Sequence, residues 1–350
     1  MSFPHCGHRT FDCGRPQCRP YSTPRVVLMT GQARPIQSRL QGKHHRSETI
    51  TQKLETSNHQ PVTMNPAPFT IAIASGKGGT GKTMLATNLA ASLCRLHPTL
   101  LVDMDVEEPN DHIFIKGATV SVIDQHRMIP AWIESKCTLC GECTKICNFN
   151  AIIQLNTTIT VFEQLCHSCY ACSELCEAGA LPMKPHKIGV IRDIATNGLR
   201  FLEGRLEPGE EQPVPLIHKL HQLAHKSYDY IPMHIYDCPP GTSCPLVAAT
   251  KDADYVILVT EPTPFGLNDI KLAVDTMQLL DKNFGVVINR DGIGDKTVEI
   301  FCLENGIPIL EKIPYDRQIA EINARGELMH NNPMIASKLQ NIIHAIQQKA

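Results

Sequence analysis

Eight cysteines fall into two runs of identical spacing, and thiolates in such runs are ligands for iron–sulfur clusters or for zinc. The runs are Cys137-x2-Cys140-x2-Cys143-x3-Cys147 and Cys166-x2-Cys169-x2-Cys172-x3-Cys176. A single CxxC pair is found in zinc knuckles and in redox dithiols. Two complete runs of four in tandem instead favour two [4Fe-4S] clusters. Zinc remains the alternative, although zinc sites seldom use the x2-x2-x3 spacing.

This spacing resembles that of two-cluster bacterial ferredoxins, in which the fourth cysteine of each run binds the other cluster. The sequence departs from the ferredoxin pattern at Asn148 and Glu177, where proline is usual, and at Tyr170, where a small residue is usual. None of these three positions supplies a ligand, so the set of ligands is complete. The resemblance implies that one cluster is bound by Cys137, Cys140, Cys143 and Cys176, and the other by Cys147, Cys166, Cys169 and Cys172.

A glycine-rich loop with a lysine and a threonine predicts a nucleotide site. Residues 76–83 read G-x4-G-K-T, after an apolar strand pattern at 69–74 and before a helix pattern. Backbone N–H groups of such a loop surround phosphates, and the helix N-terminus adds its positive end. We expect Lys82 to reach the β- and γ-phosphates and Thr83 to bind Mg²⁺. The predicted phosphate-binding residues are Gly76, Gly78, Gly79, Thr80, Gly81, Lys82 and Thr83.

The loop sequence GKGGTGKT, with Lys77 near its start, resembles the deviant Walker A motif of the MinD/ParA-type ATPases, relatives of the nitrogenase iron protein. The resemblance implies a dimer, either of identical chains or with a related ATPase. In that dimer Lys77 reaches the phosphates of the partner subunit, as an arginine finger does in other systems. We therefore expect Lys77 and Lys82 to act in ATP hydrolysis.

The same resemblance assigns roles to five polar residues farther along the chain. It implies that Asp105 orients the attacking water, that Asp103 supports Mg²⁺ and that Asp237 binds Mg²⁺ through water. It identifies Asn289 with the adenine-binding asparagine, and it places Asp316 in the loop that closes over the base. Asp103 and Asp105 end an apolar run, and residues two apart in a strand face the same way.

Apolar strand patterns alternate with helix patterns through most of the chain. The predicted fold is a doubly wound, mostly parallel α/β sheet of a P-loop NTPase, with its site at the strand carboxyl ends. The cysteines lie between the strand of Asp103 and that of Asp237. This arrangement resembles that of the MinD-superfamily ATPases that contain an inserted ferredoxin domain. We expect a first ATPase part at 65–129, a small α+β ferredoxin-like insertion at 130–186 and a second ATPase part at 187–350.

Residues 1–64 are rich in Arg, His, Pro and Ser and poor in acidic residues. They are interpreted either as a disordered extension that resembles a transit peptide, or as upstream sequence with translation starting at Met64. The whole chain carries 33 Lys and Arg against 35 Asp and Glu, and it has no apolar run of membrane-spanning length. The balanced charge argues against nucleic-acid binding, and the lack of such a run argues against a membrane span. Because clusters of this type need a reducing compartment, we expect a cytoplasmic protein.

The combined motifs predict an ATPase in which nucleotide state controls electron transfer through the two clusters to a redox partner protein. A factor for assembling iron–sulfur or other metal cofactors is the alternative. Assembly ATPases of this type commonly carry a C-terminal CxxC, whereas here Cys302 is the only cysteine after Cys244. A positioning ATPase that cycles on membranes is less favoured, because the apolar stripe at 335–346 lacks aromatic residues and has few cations.

Overall fold

The computed structural model describes residues 67–196 and 198–348, and the predictions made for residues 1–64 lie outside them. The strands are β1 Phe69–Ala74, β2 Thr99–Asp103, β3 Ala118–Pro130, β4 Ile152–Leu155, β5 Thr158–Val161, β6 Met183–Thr196, β7 Leu199–Leu206, β8 Met233–Asp237, β9 Tyr255–Thr260, β10 Phe284–Asp291 and β11 Ile309–Pro314. The helices are α1 Lys82–Leu93, α2 Asp111–Phe114, α3 Glu142–Ile146, α4 Ala171–Glu174, α5 Pro213–Ser227, α6 Cys244–Thr250, α7 Pro264–Leu279, α8 Thr297–Glu304, α9 Arg317–Ala324 and α10 Pro333–Gln347. Within these residues, no helix has both the length and the apolar character needed to cross a membrane.

One large sheet contains nine of these strands in the order β11-β10-β9-β1-β8-β2-β7-β6-β3. All neighbours from β11 to β7 are parallel, whereas β6 is antiparallel to both β7 and β3. The predicted mostly parallel α/β sheet is therefore confirmed. The antiparallel edge formed by β6 and β3 was not predicted, and β6 contains the expected domain boundary at residue 186.

Helices cover both faces of the sheet, and alternate residues of a central strand accordingly pack into two different hydrophobic cores. On β2, Leu100 and Val102 join the core that includes α5, α6 and α7, whereas Leu101 joins the core that includes α1 and α10. Strands buried on both sides read as continuous apolar runs, as they do here. The stripe of α10 is buried in the second core, with Ile342 fully inaccessible, which confirms that its apolar face packs against the protein.

The register of the central strands brings the acidic residues next to the glycine-rich loop. Asp103 and Asp237 are the last residues of β2 and β8 and lie opposite each other in the parallel ladder. Strand β1 pairs with β8 on its other side and ends at Ala74, directly before the loop. The loop and both carboxylates therefore meet at the carboxyl edge of the sheet, where ligands bind in open α/β folds.

The chain between β3 and β6, residues 131–182, contains both cysteine runs and consists of two halves with similar backbones. The halves are joined by matching hydrogen bonds, from the Ile133 N–H to the Ala180 carbonyl and from the Phe162 N–H to the Ala151 carbonyl. Backbones with positive φ recur at equivalent places in the two halves. The equivalent pairs are Leu139 and Ser168, Gly141 and Tyr170, and Asn150 and Gly179.

Candidate functional site

The glycine-rich loop turns sharply into α1 at Gly81. Its φ of 95° is in the left-handed region, and a Cβ there would lie 2.3 Å from the Nδ2 of Asn289. Both constraints favour glycine at this position. The positive end of the helix dipole of α1 faces the loop, and no acidic residue in the first turn offsets it. Lys82, the first residue of α1, is buried with 6% of its surface exposed.

Thr83 and Asp237 connect the loop directly to β8. The Oγ1 of Thr83 donates a hydrogen bond of 2.6 Å to the Oδ2 of Asp237. Burial raises the pKa of Asp237, while the charge of Lys82 and the Thr83 hydrogen bond lower it. A hydroxyl and a carboxylate are hard oxygen ligands of the kind that Mg²⁺ prefers, together with phosphate oxygens and water. The two residues therefore fit the Mg²⁺ role predicted for them.

Asp103 organises the loop after β2 with both of its carboxylate oxygens. Its Oδ1 accepts from the N–H of Asp105 at 3.1 Å, and its Oδ2 accepts from the N–H groups of Asn110 at 2.9 Å and Asp111 at 3.1 Å. Strand β2 ends at Asp103, so the prediction that Asp103 and Asp105 face the same way because both lie on one strand is wrong. The two are brought together by this hydrogen-bonded loop instead.

Asp105 lies in this loop near Lys82, partly exposed at the site. Burial raises its pKa to about 6, against the opposing effect of the Lys82 charge. A carboxyl with such a pKa is ionised near neutral pH but is a stronger base than an ordinary aspartate. Asp105 can therefore orient a water molecule and accept a proton from it.

Asp111 was not predicted from the sequence, although it belongs to this site. It starts α2, is fully buried, and has no hydrogen-bond partner for either carboxylate oxygen. One oxygen from each of Asp103, Asp111 and Asp237 lies within 4.8 Å of the others. A cation bound among them would neutralise the negative charge of these carboxylates. No sequence pattern pointed to Asp111, because a turn separates it from the strand that carries Asp103.

A cavity of about 190 Å³ lies beside the loop at the residues predicted to contact the base. It is lined by Gly81, Met84, Asn289, Arg290, Pro314, Tyr315, Asp316, Ile319, Ala320 and Asn323. The Nδ2 of Asn289 donates to the carbonyl of Thr80 at 2.8 Å, so this side chain also supports the loop. The Oδ1 of Asp316 accepts from the N–H of Gln318 at 2.7 Å and thereby caps α9.

Lys77 lies at the surface of the same loop. Its Nζ is 3.8 Å from the Oε2 of Glu261, a residue with 6% of its surface exposed. The other oxygen of Glu261 accepts from Arg290 at 2.5 Å. Glu261 follows β9 and is a second residue that the sequence did not point to. Within one chain, Lys77 is held beside the site and remains partly accessible to solvent.

A cavity of about 430 Å³ lies in the segment between β3 and β6. Trp132 and Leu181 form part of its apolar wall. The four cysteines that line it come from both runs and are Cys137, Cys140, Cys143 and Cys176. This set is the one assigned to the first cluster, including its crossing member Cys176. A space of this size is far larger than a single zinc ion requires.

The other four cysteines also lie near one another. Burial first, and then the nearby charges of Cys166, Cys169 and Cys147, raise the pKa of the Cys172 thiol to about 11. Backbone N–H groups point at several sulfurs, as they do around iron–sulfur clusters. These bonds run from Ala151 to Cys147 at 3.3 Å, from Ser168 to Cys166 at 3.5 Å and from Ala180 to Cys176 at 3.3 Å.

Arg127 of β3 ties the second cysteine run to the large sheet. Its guanidinium is buried and donates to the carbonyl of Cys166 and, at 2.9 Å, to that of Glu163. It also forms an ion pair of 3.1 Å with Glu210, which lies between β7 and α5. Breaking a buried pair of this kind is costly because one charge is left uncompensated.

Comparison with known proteins gives a family and a fold. The family described as the CobQ/CobB/MinD/ParA nucleotide binding domain matches residues 71–329. An uncharacterized protein of Methanocaldococcus jannaschii is 30% identical over 259 residues, which cover 73% of this chain and 90% of that protein. An iron-sulfur cluster carrier protein of Aquifex aeolicus is 23% identical over 306 residues, which cover 79% and 67%.

Among solved structures, the septum site-determining protein MinD of Pyrococcus horikoshii, in complex with Mg-ADP, is similar with a TM-score of 0.50. The two share 19% identity, and the match covers 80% of this chain and 96% of that one. At this level of identity the likeness concerns the fold alone, and it agrees with the P-loop sheet described above.

Proposed function

This chain belongs to the CobQ/CobB/MinD/ParA nucleotide-binding domain family, and we propose that it hydrolyses Mg-ATP and thereby controls electron transfer through two [4Fe-4S] clusters. The electrons pass to a partner protein. One observation carries the proposal: a cavity of about 430 Å³ is lined by four cysteines from two runs, in a segment that connects two strands of the nucleotide-binding sheet.

The nucleotide part of the proposal rests on the residues at the carboxyl edge of the sheet. Lys82 and the N-terminus of α1 bind the phosphates, Thr83 and Asp237 hold Mg²⁺, and Asp105 orients the attacking water. The MinD structure that shares this fold is in complex with Mg-ADP, which supports an adenine nucleotide as the ligand. Asn289 and Asp316 line the cavity beside the loop, where the base fits.

We further propose that the active form is a dimer of this chain, or of this chain with a related ATPase. Lys77 lies at the surface with 36% of its side chain exposed, next to the site. A cation placed there can stabilise charge on the phosphates of a partner subunit during hydrolysis. In the single chain Glu261 neutralises this lysine, and dimer formation exchanges that partner for phosphate.

The cluster part of the proposal rests on the fit between the cysteines and two cubes of iron and sulfide. Two sets of four thiols, a large cavity and N–H groups aimed at the sulfurs suit such clusters better than single zinc ions. When bound, the clusters supply reversible one-electron chemistry. The chain itself shields them with apolar residues such as Trp132 and Leu181, and its N–H groups stabilise the charge on the sulfurs.

Coupling between the two parts has a physical route through neighbouring strands. Asp103 ends β2, which pairs with β7, and β7 pairs with β6, which runs directly from the cysteine segment. Arg127 adds a second connection, from the carbonyl of Cys166 to Glu210. Loops that contact the γ-phosphate rearrange on hydrolysis in many nucleotide switches. A shift of β2 or β7 can therefore reach the cysteine segment and change how it presents its clusters to the redox partner.

The testing experiment uses protein purified without oxygen. Iron, sulfide and zinc are quantified, and electron paramagnetic resonance spectra of the reduced protein are recorded with and without Mg-ATP. We expect about eight irons per chain, as in two four-iron cubes, and spectra or reduction potentials that respond to nucleotide. Zinc in place of iron would overturn the cluster assignment. The spectra are also recorded with a non-hydrolysable ATP analogue. Spectra and potentials that change with neither Mg-ATP nor this analogue would overturn the coupling.

The iron-sulfur cluster carrier among the relatives favours one second candidate, in which the ATPase delivers a cluster to other proteins. Against it, Cys302 is fully buried and cannot bind a transferable cluster, whereas Cys244 at the start of α6 is exposed. The two functions are separated by incubating the iron-loaded protein with an apo-ferredoxin. Iron that moves to the acceptor in an ATP-dependent way supports delivery, and electrons that move while the iron stays support electron transfer.

A further inference from the structure

A group of potential metal ligands lies on α5 and in the turn after α6, at a different place from the nucleotide and cysteine sites. It consists of His221, His225 and Asp252, whose ligand atoms all lie within 4.8 Å of one another. His221 and His225 are one helical turn apart on α5 and therefore project from the same face. Asp252 approaches that face from the turn between α6 and β9.

The single hydrogen bond of the His221 ring uses Nε2 and leaves Nδ1 facing the carboxylate of Asp252. The Nε2 lies 2.9 Å from the carbonyl oxygen of Ala248, which can only accept, so Nε2 carries the hydrogen. In the neutral ring Nδ1 then presents a lone pair. This atom is buried without a hydrogen-bond partner and lies 3.2 Å from the Oδ2 of Asp252. A cation placed between this nitrogen and the carboxylate oxygen gives both atoms a partner.

Two distances in this group, both measured to Asp252, are close to the ligand separations around a tetrahedral zinc ion. Nitrogen and oxygen ligands at about 2.0–2.1 Å from zinc lie about 3.3–3.4 Å apart at tetrahedral angles. The Oδ2 of Asp252 is 3.2 Å from the Nδ1 of His221 and 3.2 Å from the Nε2 of His225. Two imidazoles and one carboxylate are a ligand set that suits zinc.

We propose that His221, His225 and Asp252 bind one zinc ion, with water as the fourth ligand. The side chains of His225 and Asp252 are 45% and 32% exposed, so the ion can enter from solvent and the water has room. The hydrogen bond from His221 to Ala248 is the outer contact that usually orients a metal-binding histidine. The ion links α5 to the turn after α6 and so stabilises the packing of these two helices.

The test is the zinc content of iron-loaded protein after removal of loosely bound ions. The variants are His225→Ala and Asp252→Asn, and the matched control is His218→Ala, because His218 is exposed on the same helix and lies outside the ligand group. We expect about one zinc per chain in the wild type and in the control, and an affinity at least about 100-fold lower in both ligand variants. X-ray absorption at the zinc edge should give nitrogen and oxygen neighbours without sulfur, which excludes zinc on the cysteines.

Three results would overturn the proposal: equal zinc in His225→Ala and the wild type, sulfur neighbours around the zinc, or no binding at micromolar free zinc. A thermal unfolding comparison provides an independent readout. A chelator should lower the unfolding temperature of the wild type and of His218→Ala but leave that of His225→Ala unchanged. His225 is largely on the surface, so its removal should not prevent folding. These measurements do not depend on ATP hydrolysis or on electron transfer.

Discussion

The Nζ of Lys77 lies 3.8 Å from the Oε2 of Glu261, so the lysine assigned to the partner subunit's phosphates is paired within its own chain before any dimer forms. We expect Lys77→Ala to abolish ATP hydrolysis while leaving nucleotide affinity within about threefold, because an arginine-finger-like cation acts on the transition state and not on ground-state binding. ATPase rates and equilibrium binding of a fluorescent ATP analogue measure the two effects.

Lys82→Ala and Lys296→Ala are the controls for this experiment. Lys82 is buried at the start of α1, and its loss should weaken nucleotide binding itself. Lys296 is exposed before α8, and its loss should change neither property. A fully active Lys77→Ala protein would exclude the role in the partner's site. Equal loss of binding and hydrolysis would make Lys77 an ordinary phosphate ligand of its own chain.

The raised pKa of Asp105 predicts a pH dependence of hydrolysis. Burial raises this pKa to about 6, so the carboxylate proposed to orient water becomes protonated as the pH falls through 6. We expect the rate constant for hydrolysis at saturating Mg-ATP to decline below about pH 6 with a slope of one proton. Asp105→Asn should lower the rate by about 100-fold or more and remove this limb of the profile. A wild-type rate that is flat from pH 5 to pH 8 would contradict the role.

The buried carboxylate group predicts that Asp111→Asn stabilises the protein when Mg²⁺ and nucleotide are absent. Burial first, and then the charges of Asp103 and Asp237, raise the pKa of Asp111 well above 3.8. A carboxyl with a raised folded-state pKa stabilises the fold below its unfolded pKa and loses that contribution as the pH rises. We therefore expect the variant to unfold with a free energy about 1–3 kcal/mol higher at pH 7, and the gain to shrink toward pH 4.

Urea unfolding of the variant and the wild type at about pH 5 and pH 7, without Mg²⁺ or nucleotide, measures this gain. Asp275→Asn on the exposed side of α7 is the control, and it should show no change at either pH. A variant that is less stable than the wild type at pH 7 would indicate that Asp111 is needed to hold the loop after β2, and it would contradict the repulsion argument.

Motifs with fixed spacing could be predicted from the sequence, whereas contacts made through loops could not. The strand before the P-loop was predicted at 69–74 and forms there. A short, continuous apolar run directly before a glycine-rich loop is typical of a buried parallel strand. Asp111 and Glu261 could not be predicted, since their roles depend on how loops fold against neighbouring strands. Asp105 was predicted as a site residue, but the strand argument for its position failed for the same reason. Its position depends on a loop, in which its N–H donates a hydrogen bond to Asp103.

Tyr170 occupies the backbone position that Gly141 occupies in the other half of the cysteine segment, with φ of 65° and 76°. The residue is 40% exposed. A left-handed backbone costs a residue with a Cβ roughly 1 kcal/mol more than glycine. We therefore expect Tyr170→Gly to be more stable than Tyr170→Ala by about 1 kcal/mol, the reverse of the order in a helix. Both variants lose the same ring, so denaturant unfolding isolates the backbone effect.

Gly141→Ala is the companion change for this comparison. It adds a Cβ at an equivalent left-handed position, 3.2 Å from the Oε1 of Gln154, a flexible side chain that can move aside. The backbone alone should therefore destabilise this variant by about 1 kcal/mol. If Ala and Gly were equally stable at position 170, the left-handed backbone of Tyr170 would not be retained in solution.

Cys176 lines the same cavity as Cys137 although it belongs to the other run, and this crossing can be tested with paired substitutions. If Cys137 and Cys176 bind one cluster, Cys137→Ser with Cys176→Ser removes two ligands from that cluster alone. About four irons should then remain. Cys137→Ser with Cys147→Ser removes one ligand from each cluster and should perturb both. The two double variants lose the same number of thiols, so they differ only in how the ligands are shared.

Iron content and the spectra of the two reduced clusters distinguish these patterns. In the first variant one cluster should keep the wild-type signal, whereas in the second variant neither should. The reverse pattern, with the Cys137 and Cys147 variant keeping one intact cluster, would mean that each run binds its own cluster. That result would contradict the crossing, because Cys147 would then complete the site formed by Cys137, Cys140 and Cys143 in place of Cys176.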